Sequence, residues 1–266
     1  MHHIAIETEK ELVKLRGSKY VQSRLENVYW EAKQYLEMKR IVLFTGTACQ
    51  IMGLKKYLNK EYENLYTVDV LCHGVPSPMI LRMYLEDKKK QYHASIEKFE
   101  FRNKKNGWKN YFVNIEFSDM QCYCVPYYKD KFMKMFLDNI DLRPSCYVCR
   151  FKSFPRESDM TIGDSWGIEN CMPDMDDDKG TSIILVHSSK GESLFNVIRQ
   201  KLVVREASLN EILPQTQGAT KSAEMHPNRK KFWKGVKNGE NFDVLYGYVQ
   251  KNFVQKVIDF MRYKMT

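Results

Sequence analysis

Two short β-rich runs constrain this chain more than any other feature. Arg40-Ile-Val-Leu-Phe44 runs into Thr45-Gly46-Thr47, and Tyr66-Thr-Val-Asp-Val-Leu71 runs into Cys72-His73-Gly74. Between them Ile51, Leu54 and Leu58 recur at helical spacing. Strand, helix, strand within about thirty residues reads as a βαβ unit with a right-handed crossover. Its two strands are then parallel and finish at the same edge of one sheet. Thr45–Thr47 reads as a tight turn leaving the first of them.

The surrounding pattern gives an α/β fold class with α+β elements. Ser23-Arg-Leu-Glu26 has the form of a capping box, with Leu25, Val28, Ala32 and Leu36 at helical spacing. Ser77-Pro78 opens a helix that carries Leu81, Tyr84 and Leu85 on one face. The period then changes to two. Glu97–Phe101 and Tyr111–Phe117 flank Asn106-Gly107, a hairpin signal, and Gln121–Val125 reads as a third strand. Phe132, Met133, Phe136, Leu137 and Ile140 mark a helix. Asp159–Gly163 and Thr181–Val186 mark strands. Gly191–Leu202 and Phe242–Tyr263 are helical, the latter long and basic. The acidic run Asp174–Asp178 reads as an exposed loop. The architecture expected is a βαβ core sheet with helices, an antiparallel hairpin region and a C-terminal helical segment. The domain reading is a first unit over 1–202 and a basic helical extension over 203–266.

No stretch approaches the roughly 18 apolar residues of a membrane span, and the opening MHHIAIETEKEL has no apolar signal core. A cytoplasmic location follows as an expectation, and there cysteine clusters serve metals or redox chemistry more often than disulfides. With 42 Lys and Arg against 33 Asp and Glu, the net charge is +9. That suits solvated helix ends and turns, or anionic cofactors and acidic partners. Nucleic acid is weakly supported, because no recognised nucleic-acid motif accompanies the charge.

Four of the seven cysteines stand in suggestive places. Cys49 and Cys72 each follow an expected strand end, and Cys146 and Cys149 form a Cys-x-x-Cys pair in RPSCYVCRFK. Soft thiolates select zinc or iron–sulfur clusters. A structural zinc site commonly uses two local pairs, whereas cluster ligands can lie far apart in sequence. One local pair plus two single cysteines favours a cluster at a sheet edge, with zinc and metal-free packing as the alternatives. Cys122 and Cys124, two apart in an expected strand, share one face and read as packing. Thr45–Thr47 and His73-Gly74 could bring backbone N–H groups to a ligand at strand ends. Arg16-Gly-Ser-Lys-Tyr-Val-Gln-Ser23 is a cationic, hydroxyl-rich loop suited to phosphate. Trp108, following Asn106-Gly107, reads as a plain hairpin tip or as a ring placed to stack, and Asp164 as lining a pocket turn or as a strand end.

These motifs together resemble the beta-subunit family of coenzyme F420 hydrogenases and dehydrogenases. The residues that carry the resemblance are Arg16–Ser23, Phe44–Gln50, Leu71–Pro76, Asn106–Trp108, Leu142–Cys149, Ser158–Asp164 and Trp166–Ile168. It implies an oxidoreductase subunit with FAD and a 4Fe-4S cluster, passing electrons between an iron–sulfur relay and a hydride carrier, deazaflavin or other. Cys49, Cys72, Cys146 and Cys149 look like the cluster ligands. Gly17, Ser18, Lys19, Tyr20, Gln22, Ser23, Thr45, Gly46, Thr47, Gln50, His73, Gly74, Asn106, Trp108 and Asp164 look like the flavin side, Lys19 being the cation nearest the flavin or its phosphates. Family members begin with a further strand and a Ser/Gly-rich loop, so the resemblance implies that this chain is N-terminally truncated. The chain has no Cys-x-x-Cys-x-x-Cys module, so the partner expected is a redox protein or ferredoxin-type module. Some similar proteins look associated with surface-polysaccharide and pyruvyl-transfer systems, and the resemblance implies the same setting as an expectation here. The rival reading is non-redox: a four-cysteine zinc or metal-free protein whose basic surface docks a partner.

Overall fold

The structure is a computed structural model. It describes residues 1–213 and 219–249 of the 266-residue chain. Strands β1 (Val42–Thr47) and β2 (Leu65–Val70) flank helix α2 (Ala48–Leu58), after helix α1 (Val28–Glu37). Helix α3 (Pro78–Tyr92) leads to strands β3 (Ile96–Asn103), β4 (Phe112–Phe117) and β5 (Cys122–Pro126), then helix α4 (Lys131–Leu137). Strand β6 (Met160–Asp164), helix α5 (Ile168–Cys171), strand β7 (Ser182–Val186) and helix α6 (Ser189–Arg199) follow. Helices α7 (Leu209–Ile212), α8 (Arg229–Lys237) and α9 (Phe242–Gly247) complete the described elements.

The mixed α/β class is as the sequence implied, with one sheet in the order β1-β2-β6-β7 and a second, antiparallel, in the order β3-β4-β5. β1, β2 and β6 are parallel, and β7 runs against β6. Ala32 and Leu36 of α1 and Ile51, Leu54 and Leu58 of α2 bury Phe44 and Leu65 on one sheet face. A larger core joins Ile80, Leu81 and Tyr84 of α3 and Phe132, Met133 and Phe136 of α4 to Val113, Ile115 and Phe117 of β4. Phe232, Phe242 and Leu245 belong to this same core, so α8 and α9 pack into it. Of the long basic helix expected over Phe242–Tyr263, the structure has α9, which ends at Gly247; residues 250–263 of that expectation lie outside the described residues.

Several local expectations are corrected. The box at Ser23–Glu26 caps nothing, because Glu26 sits at φ 44 and α1 starts after Asn27. Ser23 instead bonds to His3 Nδ1 at 2.6 Å. Thr45–Thr47 continues β1, paired residue by residue with Val68–Val70, and is no turn. Asn106-Gly107 lies in an eight-residue connection spanning 104–111 rather than in a two-residue hairpin. Cys122 and Cys124 do share a face, but it is the exposed one, so they do not pack. The acidic run is engaged as well as exposed: Asp178 accepts hydrogen bonds from the N–H groups of Trp108 (3.1 Å) and Lys109 (3.0 Å).

Two buried carboxylates tie the loop before β6 to β2. Asp159 Oδ2 accepts from Thr67 N at 2.8 Å and Thr67 Oγ1 at 2.7 Å. Asp69 accepts from Arg156 Nη1 at 2.8 Å and Ser158 Oγ at 2.9 Å. The Arg156 and Asp69 side chains are 3% and 1% exposed, so removing one partner strands a charge in low dielectric. Arg156→Met is therefore expected to lower unfolding free energy by about 3–5 kcal/mol in urea denaturation. Little change would mean that the pair does not anchor the sheet.

Candidate functional site: four thiols at the sheet edge

Parallel register places the first two cysteines side by side. Thr47 pairs with Val70, the last matched pair of β1 and β2. Cys49 and Cys72 each lie two residues beyond it. Cys49 sits in the first turn of α2, exposed, with its sulfur 3.1 Å from Thr47 Oγ1. Cys72 continues into the segment Cys72–Ser77, which is clipped to the segment before the Cys-x-x-Cys pair. Arg143 N donates to Val75 O at 2.9 Å, Ser77 N donates to Asp141 O at 3.1 Å, and Pro76 forms a bridge with Leu142. A Cβ on Gly74 would meet Leu142 Cδ1 at 2.9 Å and Cys146 Cβ at 3.4 Å, so glycine lets these segments close up. Pro144–Val148 then forms a 3-10 turn that carries Cys146, and Cys149 N is 3.0 Å from Ser222 Oγ.

The four sulfurs occupy one neighbourhood. Burial pushes the Cys72 thiol up to about 11; Lys152 opposes this, and the thiols of Cys146, Cys49 and Cys149 add to it. Burial also raises Cys146, whose thiol is within reach of the charges of Cys149 and Cys49. Lys152, 7% exposed, donates to the Cys72 carbonyl. Among the described residues, no group of three or more His, Cys, Asp or Glu is gathered into a ready metal-holding arrangement. The cysteines thus converge at electrostatic range without closing a cage.

The residues expected on the flavin side divide into three groups. The first is an interlocked network over the end of β1. Gln50 Oε1 accepts from Thr47 N at 3.0 Å and Thr47 Oγ1 at 3.1 Å, and Gln50 Nε2 donates to Ser23 Oγ at 3.3 Å. A Cβ on Gly46 would reach Gln50 Oε1 at 3.0 Å. His3, which carried no signal in the sequence, closes the network by bonding Thr45 O at 3.0 Å. The second group touches the thiols. Gln22 lies between Cys49 Sγ (3.8 Å) and Arg143 Nη1 (2.5 Å). His73 bonds Asn139 at 2.6 Å, and burial lowers its pKa, which keeps it neutral near pH 7.

The third group surrounds Arg102, which follows the expected strand Glu97–Phe101 and was not among the expected site residues. Its Nη1 donates to Asp164 at 2.5 Å, and its guanidinium sits over the rings of Tyr111 and Trp166 at 4.7 and 5.3 Å. Trp108 is not an exposed tip. It is 1% exposed and stacked on Trp166 at 4.3 Å, while Asn106 stays exposed. Tyr20 packs against Phe136 at 4.9 Å. Lys19, expected to meet phosphates, spends its three donors on the carbonyls of Leu15, Arg16 and Gly17 at 3.0, 2.7 and 3.1 Å. Gly17 and Ser18 line a cleft of about 470 Å³ with Glu100, Arg102, Asn103 and Lys104.

The family profile for the C-terminal region of the coenzyme F420 hydrogenase/dehydrogenase beta subunit matches residues 39–211. The chain belongs to this family. The matched span contains all four converging cysteines, β1–β7 and the Arg102 cluster. Membership gives a redox role as part of a multi-subunit assembly, as the family's beta-subunit name indicates. No curated protein matches the chain at a significant level. No helix among the described residues is long and apolar enough to cross a membrane.

The contrast between half-buried Cys72 and the exposed thiols gives a direct test on metal-free protein. With its pKa near 11, Cys72 holds on the order of a thousandth of its thiol as thiolate at pH 8. Exposed Cys49 and Cys124 are expected to be alkylated by iodoacetamide well before Cys72, as followed by peptide mass spectrometry. The Cys72 rate should climb about tenfold per pH unit until the pH nears that pKa. Equal rates at pH 8 would contradict this burial.

Proposed function

We propose that the chain is the electron-transferring subunit of an oxidoreductase, holding a 4Fe-4S cluster on Cys49, Cys72, Cys146 and Cys149 and FAD beside it. The observation that carries the reading is the convergence of two single thiols and a sequence-distant Cys-x-x-Cys pair at the carboxyl edge of a parallel sheet. The donor set is all sulfur, which fits a cluster, and four thiolates that bind four irons surround a volume rather than a point. Gly17 and Ser18 share a cleft with Glu100, Arg102 and Lys104, and exposed Lys104 is the cation there that suits the phosphates of a flavin.

When bound, the two groups supply one-electron and hydride chemistry. The chain's residues do the rest. Cys72 Sγ gives up its proton on ligation, so loading is favoured as pH rises. Gln22 spans the Cys49 side and Arg143, next to the Cys-x-x-Cys turn, and holds these two arms together. Neutral His73, fixed by Asn139, presents a hydrogen-bonding ring beside Cys72 without adding charge. Arg102 is held by Asp164 and by the aromatic rings around it, with its side chain only 4% exposed, so it braces the elements behind the cleft. A hydride carrier is the acceptor or donor, and a redox protein or ferredoxin-type module is the partner. A place in surface-polysaccharide synthesis and a cytoplasmic location belong to the same proposal.

Protein purified without oxygen is expected to carry about four irons and four sulfides per chain, with the broad visible absorption of a cluster. Cys146→Ser should remove most of both. About one zinc and no sulfide would favour the four-cysteine zinc reading instead. For the flavin, Lys104→Glu is expected to weaken FAD binding by about tenfold, or about 1.4 kcal/mol, in a fluorescence-quenching titration. Unchanged affinity would move the flavin away from this cleft.

A further inference from the structure

Lys152 is a buried cation among the thiols. It lies three residues past Cys149, is 7% exposed, and donates to the carbonyl of Cys72. Burying an ammonium is costly unless negative charge faces it. Burial indeed lowers the Lys152 pKa, and the sulfurs of Cys72, Cys149 and Cys146 pull it back up. Two other cations near the site are differently placed. Arg156 bonds Asp69 at 2.8 Å, away from the thiols. Arg143 is exposed, and water screens it.

We propose that Lys152 tunes the reduction potential of the iron–sulfur site, holding it higher than the four thiolates alone would. This rests on the cluster reading above. The physical argument is Coulombic. Uptake of one electron from an external reductant makes the sulfur-bound assembly one unit more negative. A fixed positive charge in a weakly screened interior stabilises that added charge. Lys152 therefore favours the reduced state, and its side chain acts through the field and through the Cys72 carbonyl, not as a ligand. Its role is that of a positioning and tuning residue.

The test uses the full chain, loaded and kept without oxygen. It is titrated with dithionite and redox mediators while visible bleaching and the electron paramagnetic resonance signal are followed. K152M is expected to shift the midpoint potential to more negative values with iron and sulfide content kept, while K152R stays near the wild type. K152Q keeps a donor for the Cys72 carbonyl without the charge, and it should shift like K152M. A loaded K152M or K152Q at the wild-type potential overturns the proposal. So does loss of iron from both neutral variants with retention in K152R, which would make Lys152 a residue of cluster retention. Wild-type chain that takes up no iron removes the cluster reading itself, whereas loaded wild type with unshifted neutral variants removes only the role of Lys152.

Discussion

The parallel pairing of β1 and β2 organises everything else in this molecule. A parallel pair needs a crossover, here α2, and the crossover returns the chain so that both strands end at one edge. Because Thr47 stands opposite Val70, residues the same distance beyond those ends come level with each other. Cys49 and Cys72 are such residues. A slip of the register by one residue would turn Phe44 and Leu65 away from α1 and α2, so the apolar face of the sheet also enforces the position of the thiols.

That edge is held by polar groups as well as by apolar packing. Asp159 and Asp69 fasten the segment before β6 to β2, and the backbone bonds at Val75 and Ser77 fasten the Cys72 segment to the Cys146 segment. Both fastenings are buried or nearly so, where an unmet donor or acceptor is costly. They convert a flexible problem, two loops far apart in sequence, into a nearly rigid one. Arg102 does similar work on the other side. It joins β3 to the end of β6 through Asp164 and lies against Tyr111 and Trp166.

Much of this was legible in the chain. The period-two runs gave β3, β4 and β5, and the apolar spacing gave α2, α3 and α4, because each element buries one face and its pattern records which. The four cysteines were legible as a set because strand ends and a Cys-x-x-Cys pair are local signals. Capping at Ser23 was misread, since Ser-x-x-Glu is a local preference that His3 and Gln50 outbid with tertiary hydrogen bonds. Trp108 was misread for a related reason. Nothing near it in sequence announces that Trp166 and Asp178 will come to cover and fasten its loop. Lys19 looked available for a ligand, but its own preceding carbonyls took it.

The order of residues was enough to set the elements, the parallel unit and the level at which two thiols leave the sheet. These follow from periodicity and chain connectivity, which act over a few residues to a few tens. It took the packed molecule to bring Cys146 and Cys149 to that edge, to bury Lys152 beside Cys72, and to bury Arg102 against Asp164 and its aromatic neighbours. Those outcomes depend on which distant groups exclude water from one another, and no local pattern encodes that choice.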